Sequence, residues 1–251
     1  MPLHVDHRDG VALLTLDDAE RRNALTAELV DEIIAAVAAA ETDDAVGALV
    51  VTGAPPAFCS GADTSNLVRL GSDGGEDAGN VRGLYDGFLS VRDCTLPTIA
   101  AVNGPAVGAG FNLAMCCDVR IAGESARFDS RFVRIGLHPG GGHTWMLERA
   151  VGPQAAAAMV LFGERVDGAR AAELGLAWRC VPDDTVVDEA VALAARAAEA
   201  PREVLRPVKQ TLREAPWTAS FDTAVATELE RQRRTFEQGF VATKLGGAAK
   251  P

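Results

Sequence analysis

Two short runs of small residues constrain this chain more than anything else in it: Phe58-Cys59-Ser60-Gly61-Ala62-Asp63 and Asn103-Gly104-Pro105-Ala106-Val107-Gly108-Ala109-Gly110. Each follows an apolar, β-like run and each leads into an expected helix. Residues without bulk let a ligand or another backbone approach closely, and the first amides of a helix have no carbonyl partner. Two such turns set face to face can aim two N–H groups at one oxygen, the arrangement that stabilises an oxyanion.

Around them, strands are expected over 11–16, 48–52 and 98–102. A helix over 26–40 is capped by Thr26 and carries Leu29, Ile33, Ile34 and Val37 on one face. This alternation predicts an α/β layer structure with crossover connections. The segment 71–80, rich in glycine and acid, reads as a lid or as a plain solvated connection. Beyond residue 143 the pattern predicts helices almost throughout, broken at Val151-Gly152-Pro153 and resuming over 167–174, 183–200, 201–213 and 216–238. Such helices cover either another subunit or their own domain, and the sequence leaves both open. The division expected is a core over 1–195 and a C-terminal helical region over 196–251.

The 251 residues are 48% apolar, enough for a substantial core, and the net charge of −11 disfavours non-specific nucleic-acid binding and anionic membranes. A local basic spot for a phosphorylated ligand is compatible with that charge. The five cysteines form no C-x-x-C pair and the four histidines complete no zinc site, so no metal is expected. With no apolar signal core and no stretch of ~20 apolar residues, the expectation is a soluble, cytoplasmic protein. Gly108-x-Gly110 is not a dinucleotide fingerprint, since Leu113 stands where its third glycine belongs.

Further pieces run in order along the chain: Glu20-Arg21-Arg22-Asn23-Ala24-Leu25, Leu96-Pro97-Thr98-Ile99-Ala100-Ala101-Val102-Asn103-Gly104, Leu113 to Ala122, Ala126-Arg127-Phe128, and Gly136-Leu137-His138-Pro139-Gly140-Gly141-Gly142. With the two turns, this ordered set over about 3–210 resembles the crotonase, or enoyl-CoA hydratase/isomerase, superfamily. The resemblance implies a spiral of ββα units followed by helices that form trimers, often paired into hexamers. It implies an acyl-CoA substrate whose thioester carbonyl sits between the amides of Ala62 and Ala109. Coenzyme A would enter as part of the substrate, with no separate cofactor. Arg21, Arg22, Ala24, Ser60, Asp63 and Thr64 would line the CoA groove, with Gly108 and Phe132 also against substrate. The reading preferred for Asp63 itself is that it orders its own turn, through side-chain bonds to nearby amides, rather than touching substrate.

Hydratases of the family hold the attacking water between two glutamates. Those positions are Asn112 and Phe132 here. Asparagine can orient a water but cannot take its proton, and phenylalanine can do neither. Acid–base candidates elsewhere are Asp129, His138 and His143, each also readable as structural: Asp129 as a surface or subunit-contact charge, the histidines as turn residues. His143 opens a helix, a position that favours the neutral imidazole. Phe132, Trp145 and Met146 are expected to fill the acyl end of the pocket. The tail carries only Lys244 and Lys250 where the family has a basic run. The function expected is enoyl-CoA hydratase- or isomerase-like thioester chemistry. The alternatives are an acyl-CoA binder without turnover, and isomerisation or thioester hydrolysis by a histidine.

Overall fold

The computed structural model describes residues 1–63, 68, 78–241 and 243. Thr64, most of the 71–80 segment, Lys244 and Lys250 lie outside the described residues.

The main sheet has six strands: β1 (Leu3–Arg8), β2 (Val11–Leu16), β3 (Ala48–Gly53), β4 (Thr98–Val102), β6 (Val119–Gly123) and β9 (Arg179–Val181), hydrogen-bonded in that order. Only β1 and β2 are antiparallel; every other neighbouring pair is parallel. The apolar runs of β2, β3 and β4 are continuous because both faces are covered. Leu14, Leu16, Leu49, Val51, Ala100 and Val102 enter the core beneath α1 (Ala27–Thr42) and α2 (Ala78–Asp93). Val11, Leu13, Ala48, Val50, Ile99 and Ala101 face Val186, Ala190, Val191 and Ala194 of α6 (Val186–Ala198).

Thr26 caps α1, its side chain accepting from the Leu29 amide at 3.2 Å. Leu29, Ile33 and Val37 are buried as expected, while Val30 takes the buried place expected for Ile34. Strand β1 had no expectation because its LHVDHR alternation buries only Leu3. Helix α4 (His143–Leu161) breaks at Gly152 (φ 77°), before Pro153, where the sequence places the interruption. Short strands β8 (Val166–Asp167) and β9 flank α5 (Gly168–Glu173) inside the region read as almost wholly helical; the sequence reading placed no strand there. The helix expected over 216–238 is also divided. Ala215–Trp217 forms a 3₁₀ turn, and Ser220 starts α8 (Phe221–Glu237) by accepting from the Thr223 amide at 3.2 Å. Helix α7 (Arg202–Glu214) precedes that turn, and the expected boundary at 195/196 falls inside α6.

A second, three-stranded sheet accompanies the first. Strands β5 (Pro105–Val107) and β7 (Arg127–Asp129) pair in parallel, and β8 joins β7 antiparallel. The segment around Cys59 extends this layer through a bridge to Ala106, and Ala62 bridges on to Leu25. Helix α3 (Ala109–Cys116) rises directly from β5.

Candidate active site

The two small-residue turns lie side by side. The amides of Phe58 and Cys59 donate to the Pro105 carbonyl at 3.1 Å each, and the Val107 amide donates to the Cys59 carbonyl at 3.0 Å. Gly61 adopts φ 97°, and a Cβ there would stand 2.6 Å from the Val107 carbonyl and 3.5 Å from the Ala109 nitrogen. Only glycine accepts both that dihedral and that approach. Gly110 meets the same limit, since a Cβ would overlap the Cys59 carbonyl. Ala109 is the first residue of α3, so its amide has no helical partner. Among the described residues no backbone carbonyl accepts from the Ala62 or the Ala109 amide. Ser60 stitches the first turn to the Arg21–Arg22 segment, its amide donating to Arg22 (3.0 Å) and its hydroxyl to Arg21 (2.9 Å). Asn23, buried with φ 58°, holds the same region by donating to the carbonyls of Ala54 and Ala57 at 2.8 Å each.

Asn112 stands one turn along α3 from Ala109. Its amide nitrogen donates to the Gly140 carbonyl at 2.9 Å, and its Oδ1 lies 2.7 Å from Nδ1 of His143. The other ring nitrogen, Nε2, lies 2.8 Å from the hydroxyl of Ser130. All three side chains are buried. Phe111 and Phe132 meet the imidazole edge-on, at 5.2 and 5.0 Å between centroids. Burial pushes the His143 pKa down to about 4, so the ring is neutral at physiological pH. Burial pushes the Cys59 thiol up to about 12, which removes it as a nucleophile.

The remaining candidates fall elsewhere. His138 is exposed and donates to the Pro139 carbonyl at 2.7 Å, the turn role. Asp129 is not a surface charge, as its surface reading had it: it is 2% exposed and ion-paired with Arg131 (2.8 Å) and Arg165 (3.1 Å), which offset its desolvation. Phe132 is buried, its ring 3.8 Å from the place a Gly108 Cβ would take, and Met146 is half-buried. Trp145 does not join them. Successive helical residues diverge by ~100°, and Trp145 turns outward to stack on Trp217 with Arg149 over its ring.

Beside the turns runs a groove of about 640 Å³, lined by Arg22, Ser60, Val107, Arg127, Arg131 and Arg165 together with Asp129 and Asp167. Four guanidinium groups against two carboxylates make it locally basic in an acidic protein. Of the residues expected to bind CoA, Arg22 and Ser60 line this groove. Arg21 is exposed and paired with Asp18 at 3.1 Å, Ala24 is buried, and Asp63 is half-buried. Sequence reasoning missed Ser130, Arg131 and Arg165. Ser130 carried one signal: it sits two residues after buried Phe128, on the same side of an extended segment. Among the described residues no cluster of three or more potential ligands could hold a metal ion, and no helix is long and apolar enough to cross a membrane.

The family model for enoyl-CoA hydratase/isomerase matches residues 6–244. EchA14 of Mycobacterium tuberculosis, named a probable enoyl-CoA hydratase, is 50% identical over 244 residues, 95% of this chain and 93% of that one. A crystal structure of an enoyl-CoA hydratase from Polaromonas sp. JS666 superposes with TM-score 0.89 at 29% identity, covering 98% of this chain and 97% of that one. A Thermobifida fusca relative, assigned as an enoyl-CoA hydratase and solved in complex with acetoacetyl-CoA, superposes with TM-score 0.82 at 29% identity, over 94% and 95% of the two chains.

Proposed function

The chain belongs to the enoyl-CoA hydratase/isomerase family, and from that premise we propose that it binds an acyl-CoA and polarises the thioester carbonyl between the Ala62 and Ala109 amides. The observation that carries this reading is the Gly61 contact, which brings the Ala109 nitrogen against the turn that holds Ala62. Preorganised main-chain donors of this kind stabilise the charge that develops on a thioester oxygen, and each is worth ~3–4 kcal/mol. The N-terminus of α3 adds its positive end. The basic groove supports an anionic ligand such as the CoA phosphates, with Arg22 and Ser60 in its wall; on the family resemblance Arg21, Ala24, Asp63 and Thr64 are proposed as further CoA contacts and Gly108 as a substrate contact. CoA enters as part of the substrate, and no other cofactor is assigned. Free cysteines throughout fit a cytoplasmic enzyme, and the exposed apolar face of α8 fits a homotrimer or hexamer.

The reaction is enoyl-CoA hydratase- or isomerase-like. Asn112 and Phe132 nevertheless favour a second reading, an acyl-CoA binder that does not hydrate, because neither can remove a proton from water. Calorimetric titration with crotonyl-CoA and a longer enoyl-CoA, run beside absorbance at the enoyl chromophore, separates them. Saturable heat with loss of absorbance supports turnover, heat alone supports the binder, and no heat from any acyl-CoA overturns both. Gly61→Ala, whose methyl would displace the Val107 carbonyl, is expected to lower turnover by about 10²–10³-fold, the effect of losing one oxyanion donor.

A further inference from the structure

The hydrogen-bond chain through His143 has a single polarity. The Gly140 carbonyl can only accept, so the Asn112 amide nitrogen must face it, and Oδ1 must face Nδ1 of His143. Oδ1 can only accept, so the proton of the neutral imidazole sits on Nδ1 and the lone pair on Nε2. That lone pair is 2.8 Å from the Ser130 oxygen, so the hydroxyl donates to it. An asparagine that fixes a histidine tautomer, and a histidine poised to take a hydroxyl proton, are the parts of an activated nucleophile. No carboxylate is needed, so the absence of both glutamates does not disable it.

The backbone that carries Ser130 also runs beside the turn assigned to the oxyanion. Asp129, the residue before Ser130, accepts from the Gly108 amide at 3.0 Å. The Ser130 carbonyl oxygen is 4.0 Å from the place of a Gly108 Cβ, and Gly108 directly precedes Ala109. We propose that Ser130 is the nucleophile of a thioester hydrolysis, with His143 as its base and Asn112 as the residue that orients the ring. This rests on the reading that an acyl-CoA carbonyl sits at the Ala62 and Ala109 amides.

In the first step the Ser130 oxygen bonds to the acyl carbon, its proton passes to Nε2, and the C–S bond breaks. The CoA thiolate leaves with the proton from Nε2. In the second step water bonds to the acyl carbon and gives a proton to Nε2, the ester C–O bond breaks, and Ser130 takes the proton back. Acyl-CoA and water become a carboxylic acid and CoA, with no oxidant or further co-reactant. Ser130 is 2% exposed, and Phe132, beside Gly108, is the side chain that must yield as the acyl group enters.

The test incubates the full chain with a panel of saturated, enoyl- and aryl-CoA thioesters, measuring free CoA by mass spectrometry and quenched protein by intact mass and peptide mapping. The expected result is CoA release and an acyl adduct on the Ser130 peptide. In Ser130→Ala release should fall by more than about 10³-fold while calorimetric binding persists, and Ser130→Cys should still form an adduct. His143→Ala should lower release without weakening binding. Release undiminished in Ser130→Ala, or unaffected in His143→Ala, overturns the proposal. Binding heat with no CoA release from any thioester overturns it and leaves the acyl-CoA reading standing, whereas absence of binding removes both. If Ser130→Ala does not fold, the wild-type adduct map decides alone.

Discussion

His143 is bonded at both ring nitrogens, to Asn112 and Ser130, and closed in by two phenylalanines. These surroundings hold it neutral, with its pKa at about 4 against an ordinary 6.5. Because the folded value is the lower one, the unfolded chain takes up the proton first as pH falls. The associated stability is fully present above pH 6.5 and is lost between 6.5 and 4, on the order of 3 kcal/mol for a shift of this size. Chemical denaturation followed from pH 7.5 to 4.5 should show that slope, and His143→Gln should flatten it. An unchanged slope in the variant would refute the neutral, buried imidazole. At this scale the sequence was legible where backbone decides: runs of small residues betray close approach, so the turns holding Ala62 and Ala109 stand out. Ser130 did not, because its one signal, the spacing from Phe128, gives no hint of the histidine 13 residues away that the fold brings to it. The burial of Asp129 was hidden for the same reason, since Arg165 reaches it from the segment just before β8.

Helix α7 is anchored to the sheet by polar groups rather than by an apolar face. Lys209, almost fully buried, bonds to the Leu96 carbonyl at 2.5 Å and to Asp118 at 2.6 Å. Asp118 in turn accepts from the Thr98 amide at 2.8 Å, so one carboxylate joins the end of β4 to α7. Arg202 donates to the carbonyls of Asp43 (2.7 Å) and Glu41 (2.8 Å), serving the otherwise unpaired C-terminal carbonyls of α1. Lys209→Met would strip a charged partner from Asp118 and should cost about 2 kcal/mol. For a chain of this size that lowers Tm by roughly 4–8 °C. A double-mutant cycle with Asp118→Asn should give a coupling of at least about 1 kcal/mol, and simple additivity would show that the ion pair does not hold the helix. The long central strands and α1 were readable because their apolar periodicity is set by burial on known faces. β8 and β9, two and three residues long, are too short for any period to register, and they exist only because β7 and β6 offer them an edge.

As a whole the molecule carries a charge of −11, yet it exposes a coherent apolar face at its C-terminal end. On α8, Phe221 (82% exposed), Val225, Leu229 and Phe236 fall within about 80° of one another at 100° per residue. Burying each of these large side chains is worth about 1.5–3 kcal/mol, and exposed patches of this kind mark contact surfaces rather than solvated ones. The stacked Trp145 and Trp217, with Arg149 over both rings, extend the exposed aromatic surface from α4 to the turn before α8. A closed ring of like chains accounts for such a face without leaving it open to further growth. Light scattering coupled to gel filtration should therefore return a trimer or a multiple of one. Leu229→Glu would place a carboxylate in the middle of the face and should shift the protein towards monomer. The relay of Asn112, His143 and Ser130 and the turns of Ala62 and Ala109 all come from residues before α5, so acyl-CoA binding should survive that dissociation. A wild-type monomer at all concentrations would mean that the α8 face is not a subunit contact, and loss of binding in the Leu229→Glu monomer would mean that the site needs a neighbouring chain.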